Sequence, residues 1–152
     1  MIKILFVCHG NICRSPMAEF VMKHKVKNLG MEKDFVINSA ATSYEELGNP
    51  VHHGTRKKLR EVGILCGSHR ATVMTQNDYK IYDYIIAMDS NNIRNIMRII
   101  GSDPLNKVKL LLDFANRQGE SIADPWYTGN FDATYKDIDE GTQGLINYIY
   151  ER

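Results

Sequence analysis

This 152-residue chain has no long apolar run, few cysteines and no excess of either charge. No apolar stretch approaches the roughly 20 residues of a transmembrane helix. The apolar start, Ile2 to Val7, is too short for a signal-peptide core and runs into Gly10, Asn11 and Arg14, not into a cleavage site. Three cysteines (Cys8, Cys13 and Cys66) are too few and too unevenly spaced for a secreted disulfide framework. Lys plus Arg number 19 against 18 Asp plus Glu, a net charge of +1. That balance excludes the broad polybasic or polyacidic surface that would select nucleic acid or a membrane as partner. Four prolines stand singly, with no repeat and no Pro/Gly/Ser linker to mark a boundary. The expectation is a cytoplasmic, single-domain protein with reduced thiols.

What is present alternates between strand and helix patterns. Ile2 to Val7 is rich in β-branched residues and almost entirely apolar, as a buried parallel strand should be. Ser15-Pro16 predicts a helix start, with Ser15 as N-cap, and the apolar spacing continues to Gly30. Phe35 to Ala41 reads as a second strand; Thr42 to Asn49 reads as a polar loop, and Pro50 restarts a helix that runs to Gly63. A third strand ends at Met88, and Asp89 and Ser90 cap a helix with Ile93, Ile96, Met97 and Ile100 on one face. Val108 to Leu112 predicts a fourth strand, and Thr134 to Tyr150 a closing helix despite Gly141 and Gly144. This alternation implies an α/β fold, a parallel sheet covered on both faces. Ligands of such sheets bind beyond the carboxyl ends of the strands, which directs attention to the loop after the first one.

That loop is Cys8-His9-Gly10-Asn11-Ile12-Cys13-Arg14-Ser15-Pro16. Backbone N–H groups in a tight Gly-containing turn form an anion nest. The helix N-terminus adds unpaired donors and positive dipole. Arg14 supplies a fork that holds two phosphate oxygens. A cysteine at the floor of such a cradle has its thiolate favoured and becomes a nucleophile beneath a tetrahedral anion.

The string C-x-G-N-I-C-R-S-P directly after an N-terminal strand closely resembles the low molecular weight protein tyrosine phosphatases. The resemblance extends to Asn38-Ser39-Ala40-Ala41, to the segment from Asp83-Tyr84 to Met88-Asp89, and to Asp124-Pro125-Trp126-Tyr127. It implies one phosphatase domain over residues 1–152. The implied fold is a flavodoxin-like three-layer sandwich with four parallel strands in the order 2-1-3-4. It also implies a metal-independent, cofactor-free hydrolysis of phosphotyrosine in protein substrates through a cysteinyl-phosphate. Phosphate or sulfate would also fit the loop, and the protein would be a monomer or weak homodimer.

Carried over residue by residue, Cys8 is the nucleophile, Arg14 the oxyanion clamp and Asp124 the proton donor. His9, Gly10, Asn11, Ile12, Cys13, Arg14 and Ser15 surround the phosphate. Ser39 and His69 are expected to hold Asn11 in an unusual backbone conformation by hydrogen bonds, Ser15 to support the thiolate, and Asp89 to act behind them. Ile12, Tyr44 or its neighbour Glu45, Trp126 and Tyr127 would form the rim that stacks on a tyrosine ring. Cys13 in the family can pair reversibly with the nucleophile under oxidants. His9 departs from the family pattern and would add charge at the mouth below about pH 6.5.

Three alternatives stay open. Arginine phosphatase activity is one, although the family members with that activity carry threonine where this chain has Ile12. Arsenate reduction on the same fold is another, but it needs a relay of distal thiols and only Cys66 is available. The third is a phosphoprotein-binding module without turnover. His24, His52 and His53 have no metal-ligand partners at useful spacing and read as surface or packing residues.

Overall fold

The computed structural model describes residues 1–151. The first strand, β1 (Ile2–Cys8), is buried on both sides. Ile4, Phe6 and Cys8 face one helical layer, and Leu5 and Val7 face the other. That is why its buried stretch, Ile4 to Cys8, is continuously apolar and does not alternate. β2 (Phe35–Ala41), β3 (Tyr84–Ala87) and β4 (Val108–Leu110) complete a parallel sheet of order β2-β1-β3-β4.

The helices are α1 (Arg14–Asn28), α2 (His53–Glu61), the single turn α3 (Asp78–Ile81), α4 (Ser90–Ile100), the single turn α5 (Pro125–Thr128) and α6 (Phe131–Glu151). Met17 and Val21 of α1 join Ile138, Leu145 and Ile149 of α6 over the Ile4 face of the sheet. Ile96 and Ile100 of α4 cover the opposite face. The result is the expected three-layer sandwich. β1 has β2 on one side and β3 on the other, so the loop after β1 sits at the topological switch point. Among the described residues, no helix is long and apolar enough to cross a membrane.

Several boundaries differ from the sequence reading. Cys13, not Ser15, stands at the N-cap of α1, because the Ser15 hydroxyl is engaged with the Cys8 sulfur instead. The second helix starts at His53, capped by the His52 side chain, three residues beyond Pro50. Leu111 and Leu112 do not continue β4; they begin a 3₁₀ turn, Leu111–Ala115, that drives both side chains into the core beneath α6. The closing helix begins at Phe131, three residues before Thr134. Asp89 caps α4 as expected, its Oδ1 accepting from the Asn92 amide at 2.8 Å.

Gly141 and Gly144 let α6 approach that 3₁₀ turn. A Cβ on Gly144 would lie 2.0 Å from the Phe114 carbonyl oxygen, a backbone atom that cannot move aside alone. Gly→Ala in a free helix interior stabilises by about 1 kcal/mol. Here the sign reverses. Gly144→Ala is expected to cost about 3 kcal/mol, the upper range of overpacking, read as a lower denaturant midpoint.

Candidate active site

Cys8 ends β1 and is 4% exposed. Two donors converge on its sulfur: the Asn11 amide at 3.3 Å and the Ser15 hydroxyl at 3.0 Å. The Ser15 oxygen already accepts from Asn11 Nδ2 at 2.8 Å, so its own hydrogen is free to point at sulfur. The loop reverses through Asn11, which has φ +59°. That left-handed conformation is costly for most residues and tolerable for Asn.

Asn11 is wholly buried and its side chain is saturated. Nδ2 donates to Ser15 and, at 2.9 Å, to Ser39, while Oδ1 accepts from the Thr72 amide at 3.1 Å. His69 Nε2 donates to the Asn11 carbonyl at 3.2 Å. Ser39 and His69 therefore meet Asn11 as expected, although Ser39 accepts from Asn11. The Ser39 hydroxyl hydrogen goes instead to Glu19 Oε1 at 2.6 Å. Glu19 is 5% exposed, pairs with Lys23, and lies 3.8 Å from His69 Nδ1. This carboxylate closes the network behind the loop, and the sequence reading missed it. The available signal was a lone charge inside the apolar run Met17-Ala18-Glu19-Phe20-Val21.

Asn11→Ala removes all three side-chain bonds and leaves an alanine in the left-handed region. The expected cost is about 3 kcal/mol, with the Thr72 and Ser39 partners left unsatisfied. Thermal unfolding measures it.

Arg14 is 3% exposed and held from behind. Its Nη1 donates to Asp89 Oδ2 at 2.7 Å and to the Ile122 carbonyl at 2.8 Å. Nη2 lies 3.5 Å from Asp124 Oδ2. Asp124 caps α5: its Oδ1 accepts from the Trp126 amide at 3.0 Å, with Pro125 at the first helical position. The acid thus sits on a rigid turn with one oxygen tied and the other facing the Arg14 guanidinium.

A cavity of about 110 Å³ opens over the loop, and Cys8, Arg14 and Asp124 line it together. His9, Gly10, Asn11, Ile12 and Cys13 complete its base, while Trp126 and Tyr127 stand at the rim. From the loop after β2, Glu45 and Glu46 line it, and Tyr44 does not. Tyr44 is 74% exposed, while the bend and turn at 43–48 bring Glu45 and Glu46 to the pocket. His9 Nε2 meets Glu45 Oε2 at 2.9 Å across the mouth. Glu46 was not foreseen.

All three cysteines are free. Burial, together with the neighbouring Cys8 and Asp124, pushes the Cys13 thiol up to about 12, so at neutral pH it stays protonated. Among the described residues, no cluster of His, Cys, Asp and Glu could hold a metal ion.

Fold and site together define a class: parallel α/β proteins that carry a cysteine at the base of an anion-binding strand-to-helix loop. Residues 3–152 match the family described as low molecular weight phosphotyrosine protein phosphatase. The chain belongs to that family. It is 38% identical over 150 residues to the low molecular weight protein-tyrosine-phosphatase YfkJ of Bacillus subtilis, covering 98% of this chain and 96% of that protein. The crystal structure of YfkJ superposes with a TM-score of 0.95 over 99% of this chain and 96% of that one. A low molecular weight protein tyrosine phosphatase from Streptococcus pyogenes, 40% identical, superposes with a TM-score of 0.87 over 97% of this chain and 93% of its own.

Proposed function

We propose that residues 1–152 form one phosphatase domain that hydrolyses phosphotyrosine in proteins, and aryl phosphates generally, through a cysteinyl-phosphate. The observation that carries this reading is the convergence of Cys8, Arg14 and Asp124 on one cavity. In the first step the Cys8 thiolate attacks phosphorus in line and the P–O bond to the phenol breaks. The Asp124 carboxyl gives its proton to the departing oxygen, and the substrate leaves with its tyrosine hydroxyl restored. In the second step the Asp124 carboxylate takes a proton from water as that water attacks phosphorus, and the P–S bond breaks. The Ser15 hydroxyl, 3.0 Å from sulfur, stabilises the departing thiolate, and inorganic phosphate is released.

In both steps, Arg14 and the loop N–H groups stabilise the charge on the equatorial oxygens. The Arg14 guanidinium is already held by Asp89 and the Ile122 carbonyl, so it has little reorganisation left to make in the reaction itself. Ile12 gives the pocket wall an apolar surface suited to a phenyl ring and offers no hydroxyl to a guanidinium.

The reading is tested by kcat/KM on phosphotyrosine, phosphoarginine and phosphoserine peptides of one sequence, measured in chelator. Phosphotyrosine is expected to lead by at least ~10-fold, the discrimination a shaped apolar pocket supplies. A lead for phosphoarginine would overturn the substrate, and no turnover of any ester would overturn the activity.

A further inference from the structure

The first turn of α2 joins the two segments that carry the chemistry. On the phosphate-loop side, the His52 amide donates to the Ile12 carbonyl at 2.8 Å and Thr55 Oγ1 donates to the Cys13 carbonyl at 3.1 Å. On the acid side, the His52 ring meets Trp126 edge-on, with centroids 5.6 Å apart, and lies nearly parallel to the Phe131 ring at 5.4 Å. Phe131 in turn lies against Gly54, where even a Cβ would come within 2.3 Å of its ring. The Trp126 amide is the donor that holds Asp124 Oδ1, so wherever Trp126 goes, the carboxyl turns with it.

The imidazole has little freedom of its own. Its Nδ1 accepts from the Gly54 amide at 3.0 Å, which puts the ring proton on Nε2 and requires the neutral form. Burial and the stacked His53 ring favour that form and lower its pKa, against the opposing pull of Glu46 and Asp124.

We propose that His52 is a positioning residue for proton transfer. Its ring braces Trp126 and the Pro125–Thr128 turn, so that Asp124 Oδ2 stays aimed at the leaving-group oxygen. His52 lines no part of the cavity and acts only through Trp126. The proposal rests on the reading of Asp124 as the proton donor.

The test is the leaving-group dependence of kcat/KM, which reports formation of the cysteinyl-phosphate. His52→Asn keeps a capping acceptor for the start of α2 and deletes the ring. It is expected to lose about 10-fold on phenyl phosphate, a poor leaving group, and no more than about twofold on p-nitrophenyl phosphate. His52→Phe keeps a ring and loses the acceptor. It is expected to melt at lower temperature while retaining the leaving-group dependence of the unaltered protein. An equal loss of His52→Asn on both substrates, or a loss on neither, overturns the proposal. So does a folded His52→Phe that is as selective as His52→Asn. The failure of the underlying reading looks different: Asp124→Ala would then leave the leaving-group dependence of the unaltered protein unchanged.

Discussion

Cys8→Ser is expected to abolish turnover of every phosphate ester, by at least ~10⁴-fold, while leaving phosphate bound. The substitution changes one atom. A serine hydroxyl at neutral pH is far less nucleophilic than a thiolate, and the two groups bonded to that position, the Asn11 amide and the Ser15 hydroxyl, are not bases that could activate it. Every bond to Cys8 Sγ comes from a donor, the Asn11 amide at 3.3 Å or the Ser15 hydroxyl at 3.0 Å. The anion cradle survives the change, since it is made by the loop backbone and by Arg14, which Asp89 and the Ile122 carbonyl hold in place. Phosphotyrosine-peptide affinity should therefore stay within a fewfold of the parent protein while hydrolysis disappears. Mass spectrometry of the quenched reaction should find a phosphorylated Cys8 peptide in the parent protein and none in the variant. Full activity of Cys8→Ser would exclude covalent catalysis through this residue. Tight peptide binding without turnover by the parent protein would instead identify a binding module.

The parts of this molecule that were legible in its sequence are those where one physical demand acts on consecutive residues. β1 had to be apolar from Ile4 onward because helices cover both its faces. α4 showed its face because only one side of it is buried. The loop after β1 was legible because the anion cradle proposed for it needs a turn, a helix start and a cation within a few residues. Where two demands compete, local reading fails. Leu110, Leu111 and Leu112 form an apolar run that suits a strand or a buried turn, and only the arrival of α6 on Gly141 and Gly144 decides for the turn. The single-turn helices Asp78–Ile81 and Pro125–Thr128 are too short to show periodicity. Ser15 has the ideal side chain for a helix cap, but its hydroxyl is engaged by the thiol and by Asn11, so the cap moved to Cys13.

The supporting network was legible only in part, for a related reason. Asn11, Ser39 and His69 were reachable through family resemblance, since each bonds the loop directly. Glu19 touches none of the reacting groups. It is needed because Ser39, while accepting from Asn11, must donate somewhere, and a buried hydroxyl without an acceptor is costly. The choice between Tyr44 and Glu45 depended on the path of the turn at 43–48, which no hydrophobic period governs.

Asp124→Asn should separate the two steps of the reaction. Asn keeps an oxygen to accept from the Trp126 amide, so the cap on α5 survives; Asp124→Ala would lose it, at about 1 kcal/mol. Asn cannot give or take the proton. On phosphotyrosine, whose phenolate is a poor leaving group, kcat/KM is expected to fall about 10²–10⁴-fold, the usual worth of general acid catalysis. On p-nitrophenyl phosphate the fall should be far smaller, because that phenolate departs without help. The second step still needs a base, so the intermediate should accumulate, visible as a burst of p-nitrophenol stoichiometric with enzyme, followed by slow turnover. A variant with the parent's leaving-group dependence and no burst would remove Asp124 from the chemistry. Its 3.5 Å approach to Arg14 would then be a structural ion pair at the edge of the pocket.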